Sequence, residues 1–163
     1  MDLEIVKGFI PGALGRVVEL HGAYYARTWG FGVFFEAKMA ADMAELANRY
    51  EERRDGFWTV SVAGRVEGSI AVDGRDAPSE AALLRWYLVS DALRGRGCGR
   101  RLLAGAVDFC RGCGYPRVSL WTFAGLDAAR HLYEQFGFQL TEEQRGSRWG
   151  TEVNEQRFEL RLG

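Results

Sequence analysis

The order of apolar and polar positions changes period repeatedly along the chain, and each change marks an element. Leu3 to Val6 (LEIV) predicts a short first strand. Pro11 suits a helix start, where its missing N–H costs nothing. Leu14, Val17, Val18, His21, Tyr24, Tyr25 and Thr28 then recur at helical spacing and predict a first helix, broken by Gly30 and Gly32. A second helix is expected over residues 36–52, with Met39, Met43, Leu46, Ala47 and Tyr50 on one stripe and EERRDG at its end.

Phe57 to Ala63 (FWTVSVA) is β-branched and aromatic, which predicts a strand. Gly64 turns the chain, and Val66 to Val72 returns as a hairpin partner. After the polar loop DGRDAPS, Ala82 to Ser90 (ALLRWYLVS) is apolar enough for a central strand. A helix is predicted from Gly99 to Gly112, with Leu102, Leu103, Ala106, Val107 and Cys110 on one face. A strand follows over Val118 to Phe123, then a helix from Leu126 to Phe136 that turns Ala129, Leu132, Tyr133 and Phe136 inward. Phe138 to Glu142 and Gln156 to Leu162 are the last strands. The order β-αα-βββ-α-β-α-ββ contains a β-α-β unit, so the sheet is expected to be mixed and the class α/β or α+β.

Composition adds bounds. A chain of 163 residues favours a single domain, residues 1–163, large enough for a real core. The net charge of −1 argues against a general nucleic-acid binder, which needs a basic excess or stripe. No apolar run approaches the ~20 residues of a membrane span, so no membrane partner is expected. MDLEIVKGF lacks the zones of a signal peptide, which makes a cytoplasmic location the expectation. The three cysteines are Cys98, Cys110 and Cys113. The C-x-x-C of Cys110 and Cys113 falls near a helix end, where no dipole favours a thiolate, and no second ligand pair follows for zinc. A structural role for the cysteines and no metal are therefore expected.

The chemistry is concentrated in RGRGCG, Arg94 to Gly99, between a strand and a helix. Free N–H groups at a helix start, with the helix dipole behind them, form an anion site. Gly95, Gly97 and Gly99 remove side chains where the backbone must approach a phosphate, and Arg94, Arg96, Arg100 and Arg101 add charge. A dinucleotide fingerprint needs glycine at position 100, which is Arg100, and no Walker ending follows.

The stretch VSDALRGRGCGRRLL, Val89 to Leu103, resembles the acyl-CoA-binding motif of the GCN5-related N-acetyltransferase (GNAT) family. Arg94, Gly97 and Gly99 occupy the fixed places of its Arg/Gln-x-x-Gly-x-Gly/Ala pattern. Downstream, LDAARHLYEQFGF, Leu126 to Phe138, resembles the family helix that ends Leu-Tyr-Glu-x-x-Gly-Phe. The N-terminal part also resembles the acetyltransferase half of proteins that carry a MarR-type regulatory domain. The resemblance implies a mostly antiparallel sheet of about seven strands flanked by about four helices. It further implies acetyl-CoA as co-substrate and a primary amine acceptor, small molecule or peptide, attacked directly in a ternary complex. A homodimer is compatible with it.

Residue by residue, the resemblance implies that the backbone of Leu88 and Val89 holds pantetheine. The loop Arg94, Gly95, Arg96, Gly97, Cys98, Gly99 and Arg100 would take the pyrophosphate. A nearby strand N–H would polarise the thioester carbonyl, an effect commonly worth ~3 kcal/mol. Tyr133 would protonate the departing thiolate as general acid. Family members often carry asparagine at the place of Leu126, so a cofactor contact is expected to be lost or taken over by backbone. Asp127 next to it reads as a first-turn charge. No single base is forced: Glu80, Asp91, Glu36 and His21 are candidates, and His21 also fits a satisfied core position. Tyr24, Tyr25, Trp29, Phe31, Phe34 and Phe35 crowd the helix link as core or as an acceptor wall, with Arg85, Trp86 and Trp121 candidates for the same cleft. An acyl-CoA sensor without turnover and an interaction domain are the competing readings.

Overall fold

The computed structural model describes residues 2–163. Strand β1 (Leu3–Lys7) leads into α1 (Ala13–Trp29) and α2 (Val33–Arg49). Three antiparallel strands follow, β2 (Gly56–Val62), β3 (Arg65–Asp73) and β4 (Ala82–Val89). Then come α3 (Cys98–Gly112), β5 (Arg117–Phe123), α4 (Asp127–Gln135), β6 (Gln139–Gly146) and β7 (Val153–Arg161). The seven strands form one sheet in the order β1-β2-β3-β4-β5-β7-β6, antiparallel except where β4 meets β5. The expected elements are all present, and β4 is the central strand.

The differences lie at element ends. α2 runs over Val33–Arg49 rather than 36–52, because the extended Gly32 starts it and the chain leaves helical geometry at Tyr50. β6 and β7 are longer than expected, paired through Gly146 and Val153. β6 is exposed over almost its whole length, so its polar sequence QLTEEQRG carries no apolar alternation to mark it. Thr28 is exposed rather than inward.

Two cores lie on opposite faces of the sheet. On one, α3 and α4 bury Leu102, Leu103, Val107 and Tyr133 against Val60, Ile70, Val118 and Phe158. On the other, α1 and α2 bury Val17, Phe35, Met39, Met43 and Leu46 against Phe57, Ala71 and Phe123. Cys98 and Cys110 are buried in the first core, and burial pushes the Cys110 thiol up to about 12, which leaves it inert.

Candidate active site

β4 and β5 are the two parallel strands, and they pair over only three positions, Ala82–Leu84 with Val118–Leu120. Beyond Leu84 they part. The cause is visible in β4, where one extra residue separates Arg85 from Leu88 relative to the Ser69–Ala71 segment of β3. At that bulge Trp86 has φ +51°, a conformation that costs a non-glycine residue about 1–2 kcal/mol. The Ser69 hydroxyl donates to the Trp86 carbonyl at 2.7 Å and fixes the distortion. Nothing in a tryptophan signals a left-handed position, so the sequence could not have located the bulge.

The bulge decides which backbone groups face the gap. Ser90 N–H bonds the Glu67 carbonyl of β3 at 2.8 Å. By strand alternation Leu88 also turns its peptide groups toward β3, so of the two expected backbone positions only Val89 faces the gap, joined by Tyr87 rather than Leu88. The gap opens into a cavity of about 900 Å³ that runs from the α1–α2 face to the start of α3. Leu88, Val89, Arg94, Gly95, Gly97, Cys98, Gly99, Arg100 and Tyr133 all line it, so the fold brings those expected residues to one place. Arg96 is exposed and outside the lining.

The glycine loop follows a 3-10 turn at Asp91–Leu93. Gly95 and Gly97 have φ of +75° and +71°, so each is required by its backbone conformation. Gly99 is favoured for a different reason, a close approach. A Cβ there would lie 3.0 Å from the Tyr87 hydroxyl, which donates to the Gly99 carbonyl at 2.5 Å and ties the helix start to β4. Arg101 N–H is the first amide of α3 to bond a carbonyl of its own helical turn, that of Gly97, at 3.1 Å. The amides ahead of it, Cys98 to Arg100, have no intrahelical acceptor and carry the positive end of the dipole. The amides of Arg94 and Arg96 are closed within the turn onto Asp91 and Leu93 carbonyls. Arg94 pairs with Asp91 at 2.5 Å, and Arg100 bonds Gln135 of α4 while lying 5.9 Å from the Phe136 ring centre.

Tyr133 is the buried residue of α4, 5.9 Å from the Tyr87 ring and 6.0 Å from Phe158. Burial first, then the neighbouring Tyr87 and Tyr25, holds its phenol well above its ordinary value, so it stays protonated at neutral pH. Leu126 sits at the start of α4 with no side-chain cap and lines the cavity, and Asp127 provides the first-turn charge.

Of the four candidate bases, Asp91 and His21 line the cavity, whereas Glu80 and Glu36 are exposed away from it. His21 Nδ1 lies 2.8 Å from the Val17 carbonyl, and its buried Nε2 has no partner. Burial pushes this imidazole down to about 4, against the opposing effect of the Val17 bond. An unfolded histidine titrates near 6.5. The stability contributed by the neutral buried ring is therefore complete above about 6.5 and lost as pH falls toward about 4. His21→Asn is expected to flatten stability over that window, measured by urea unfolding at pH 7 and pH 5.

The other end of the cavity is aromatic and charged. Tyr25 packs on Phe31, Phe35 and Phe123; Tyr25, Phe35 and Phe123 are both core and cavity wall, Phe31 is core only, and Phe34 remains exposed. Arg85 lies 4.4 Å from the Trp86 ring and pairs with Asp42 at 3.3 Å and Asp73 at 3.6 Å. Lys38 closes on the same Asp42 at 3.0 Å. Asp42 was not singled out by sequence, although its spacing from Lys38 on α2 is that of a helical ion pair. Arg148 and Trp149, from the β6–β7 connection, complete this end.

The comparisons with known proteins agree with this geometry. The model of the acetyltransferase (GNAT) family matches residues 18–138. The chain belongs to that family. The N-acetyltransferase YjgM of Escherichia coli, itself uncharacterised, is 30% identical over 132 residues, covering 78% of this chain and 75% of that protein. Rat N-acetyltransferase 8 is 34% identical over 106 residues, 63% of this chain, and the chain spans about half (48%) of that relative's length. The structure of yncA from Salmonella typhimurium with its cofactor acetyl-CoA has the same fold, with a TM-score of 0.71, 18% identity and coverage of 98% of this chain and 94% of that one. In this GNAT domain no helix among the described residues is long and apolar enough to cross a membrane. Among the same residues no cluster of His, Cys, Asp or Glu is placed to hold a metal.

Proposed function

We propose that this GNAT domain transfers an acetyl group from acetyl-CoA to a primary amine, both bound at once in the cavity between β4 and β5. The observation that carries the reading is the joint lining of one cavity by the α3 start, the parted strand edge and the Tyr133 phenol. The residues fit the co-substrate part by part. The amides of Cys98, Gly99 and Arg100 offer an anion cradle for pyrophosphate. The outward peptide groups of Tyr87 and Val89 offer a strand edge for the pantetheine amides, with Leu88 and Leu132 as apolar walls. Leu126 contributes no polar contact, which leaves that contact to backbone.

Within this reading a β4 N–H at the bulge faces charge developing on the thioester oxygen, and its fixed position requires no reorganisation. The Tyr133 phenol donates its proton to the departing sulfur. The amine arrives from the α1–α2 side and loses a proton before attack. His21, held neutral, and Asp91 are the two candidates near the cavity that keep that role open. The domain does this chemistry without a metal and in the cytoplasm.

Thiol release from acetyl-CoA over a panel of primary amines tests the proposal. Amine-dependent release is the expected result, and acetyl-CoA binding without release for any amine would return the protein to the sensor class. Gly97→Val forces a β-branched residue to φ +71° at the mouth of the cradle. It is expected to raise the KM for acetyl-CoA by about tenfold or more with a smaller change in Tm, measured by steady-state kinetics and thermal melting.

A further inference from the structure

The acceptor end of the cavity holds a guanidinium built for a task the transfer chemistry does not use. Arg148 lies in the connection between β6 and β7, with its guanidinium carbon 3.9 Å from the centre of the Trp121 ring. Trp121 stands on β5 on the same face as Phe123, the face that packs against α1 and α2. Behind the arginine is Glu155, only 3% exposed. One Glu155 oxygen accepts the Arg148 backbone N–H at 2.9 Å, and the other accepts Nε at 3.3 Å. The loop itself is held in place. Trp149 packs 5.6 Å from the Phe123 ring, and Gly150 lies against Phe34, which a Cβ there would approach to 2.6 Å.

This arrangement spends Nε on Glu155 and the flat of the guanidinium on Trp121, with the Trp149 ring centre 5.9 Å away. Nη1 and Nη2 have no protein partner among the described residues, and the side chain lines the cavity. The other cations at this end of the cavity are committed: Arg85 uses both Nη groups on Asp42 and Asp73, and Lys38 is on Asp42, whereas Arg94 and Arg100 lie at the α3 start. A stacked, clamped arginine with a free pair of parallel N–H donors matches a carboxylate, which offers two oxygens in one plane.

We propose that the amine acceptor carries a carboxylate, as a free amino acid does, and that Arg148 reads it with Nη1 and Nη2. Trp121 and Glu155 are positioning residues that hold the guanidinium in register. The two-point contact sets the substrate's orientation, so the amine is directed toward the β4–β5 gap and the side chain toward the aromatic wall of Tyr24, Tyr25 and Trp86. This rests on the amine-transfer reading of the same cavity, and it names the class of amine.

The test compares L-amino acids with their C-terminal amides, for instance L-phenylalanine with L-phenylalaninamide and L-methionine with L-methioninamide. The amide keeps the shape, removes the negative charge and has the less basic amine, so basicity alone favours the amide. The acids are expected to exceed the amides by about tenfold or more in kcat/KM, the factor a charged hydrogen-bonded contact supplies. Arg148→Gln is expected to bring that ratio toward one, and Arg148→Lys to restore part of it, because a lysine keeps the charge but not the fork. The double variant Arg148→Gln with Glu155→Gln leaves no buried carboxylate unpaired, and acetyl-CoA affinity is measured on each variant as a check of folding. A wild-type preference for the amides, or an acid-to-amide ratio unmoved in both glutamine variants, overturns the proposal while leaving amine transfer intact. Calorimetric titration of the acids into the CoA-loaded protein separates the two ideas. Binding that is lost in Arg148→Gln but never followed by turnover supports the carboxylate site and overturns the transfer reading.

Discussion

Tyr133→Phe is expected to lower kcat by about 10²-fold or more at saturating acetyl-CoA, with the KM for acetyl-CoA changed by less than about twofold. The asymmetry follows from what the ring and the hydroxyl each do. The ring is 6% exposed and packs among Tyr87, Phe138 and Phe158, and phenylalanine keeps all of those contacts. The hydroxyl belongs to a cavity-lining side chain held protonated by burial. Burial keeps that phenol protonated across neutral pH, so the departing thiolate meets a donor that still has its proton. Without the hydroxyl the thiolate leaves unassisted, and the loss appears in kcat because the interaction forms only as the bond breaks. Since the phenol stays protonated far above neutrality, it adds no alkaline limb to the kcat profile below about pH 10. An unchanged kcat with both substrates saturating removes Tyr133 from the chemistry and leaves it a core residue.

Asp55→Ala is expected to cost about 3–5 kcal/mol of stability and lower Tm by on the order of 10 °C. Asp55 is fully buried between the end of α2 and the start of β2. Its two oxygens accept the Glu51 N–H at 3.0 Å and the Gly74 N–H at 2.8 Å, and Arg54 pairs with it at 3.1 Å. Alanine leaves two backbone donors and part of a guanidinium without an acceptor in a buried place. Asp55→Asn retains a single carbonyl acceptor, so its loss is expected to be smaller, which thermal melting of the two variants side by side resolves. The effect reaches the candidate site through one step. Gly74 follows Asp73, whose carboxylate holds Arg49 at 2.6 Å and Arg85 at 3.6 Å. Loosening Gly74 loosens the arginine against Trp86, so a rise in acceptor KM is expected alongside the lower Tm.

The helix stripes of α2 and α3 were legible because each buries one continuous face: Met39, Met43 and Leu46 in one, and Leu102, Leu103, Ala106, Val107 and Cys110 in the other. β6 was legible only at its start, because an exposed edge strand takes its pairing from β7 and leaves no apolar pattern of its own. The glycine run was legible as the turn into a helix start, yet the reasons for its glycines separated. Gly95 and Gly97 answer to backbone conformation, whereas Gly99 answers to the approach of Tyr87 from another strand. The first reason is local, and the second depends on a partner twelve positions away.

The sequence by itself determined the element order, the central place of β4, the glycine turn into α3 and the tyrosine on the inward face of α4. Each of these depends on periodicity or on a residue's own backbone preference, which neighbours in the chain already express. The tertiary structure alone decided where β4 and β5 part, because the bulge at Trp86 arises from β3 and β4 being out of step by one residue. It also separated Asp91 and His21 from Glu80 and Glu36, and it set Arg148 on Trp121 with Glu155 behind it. Those facts are contacts between elements distant in the chain, where strand register and burial choose the partner and no local pattern records the choice.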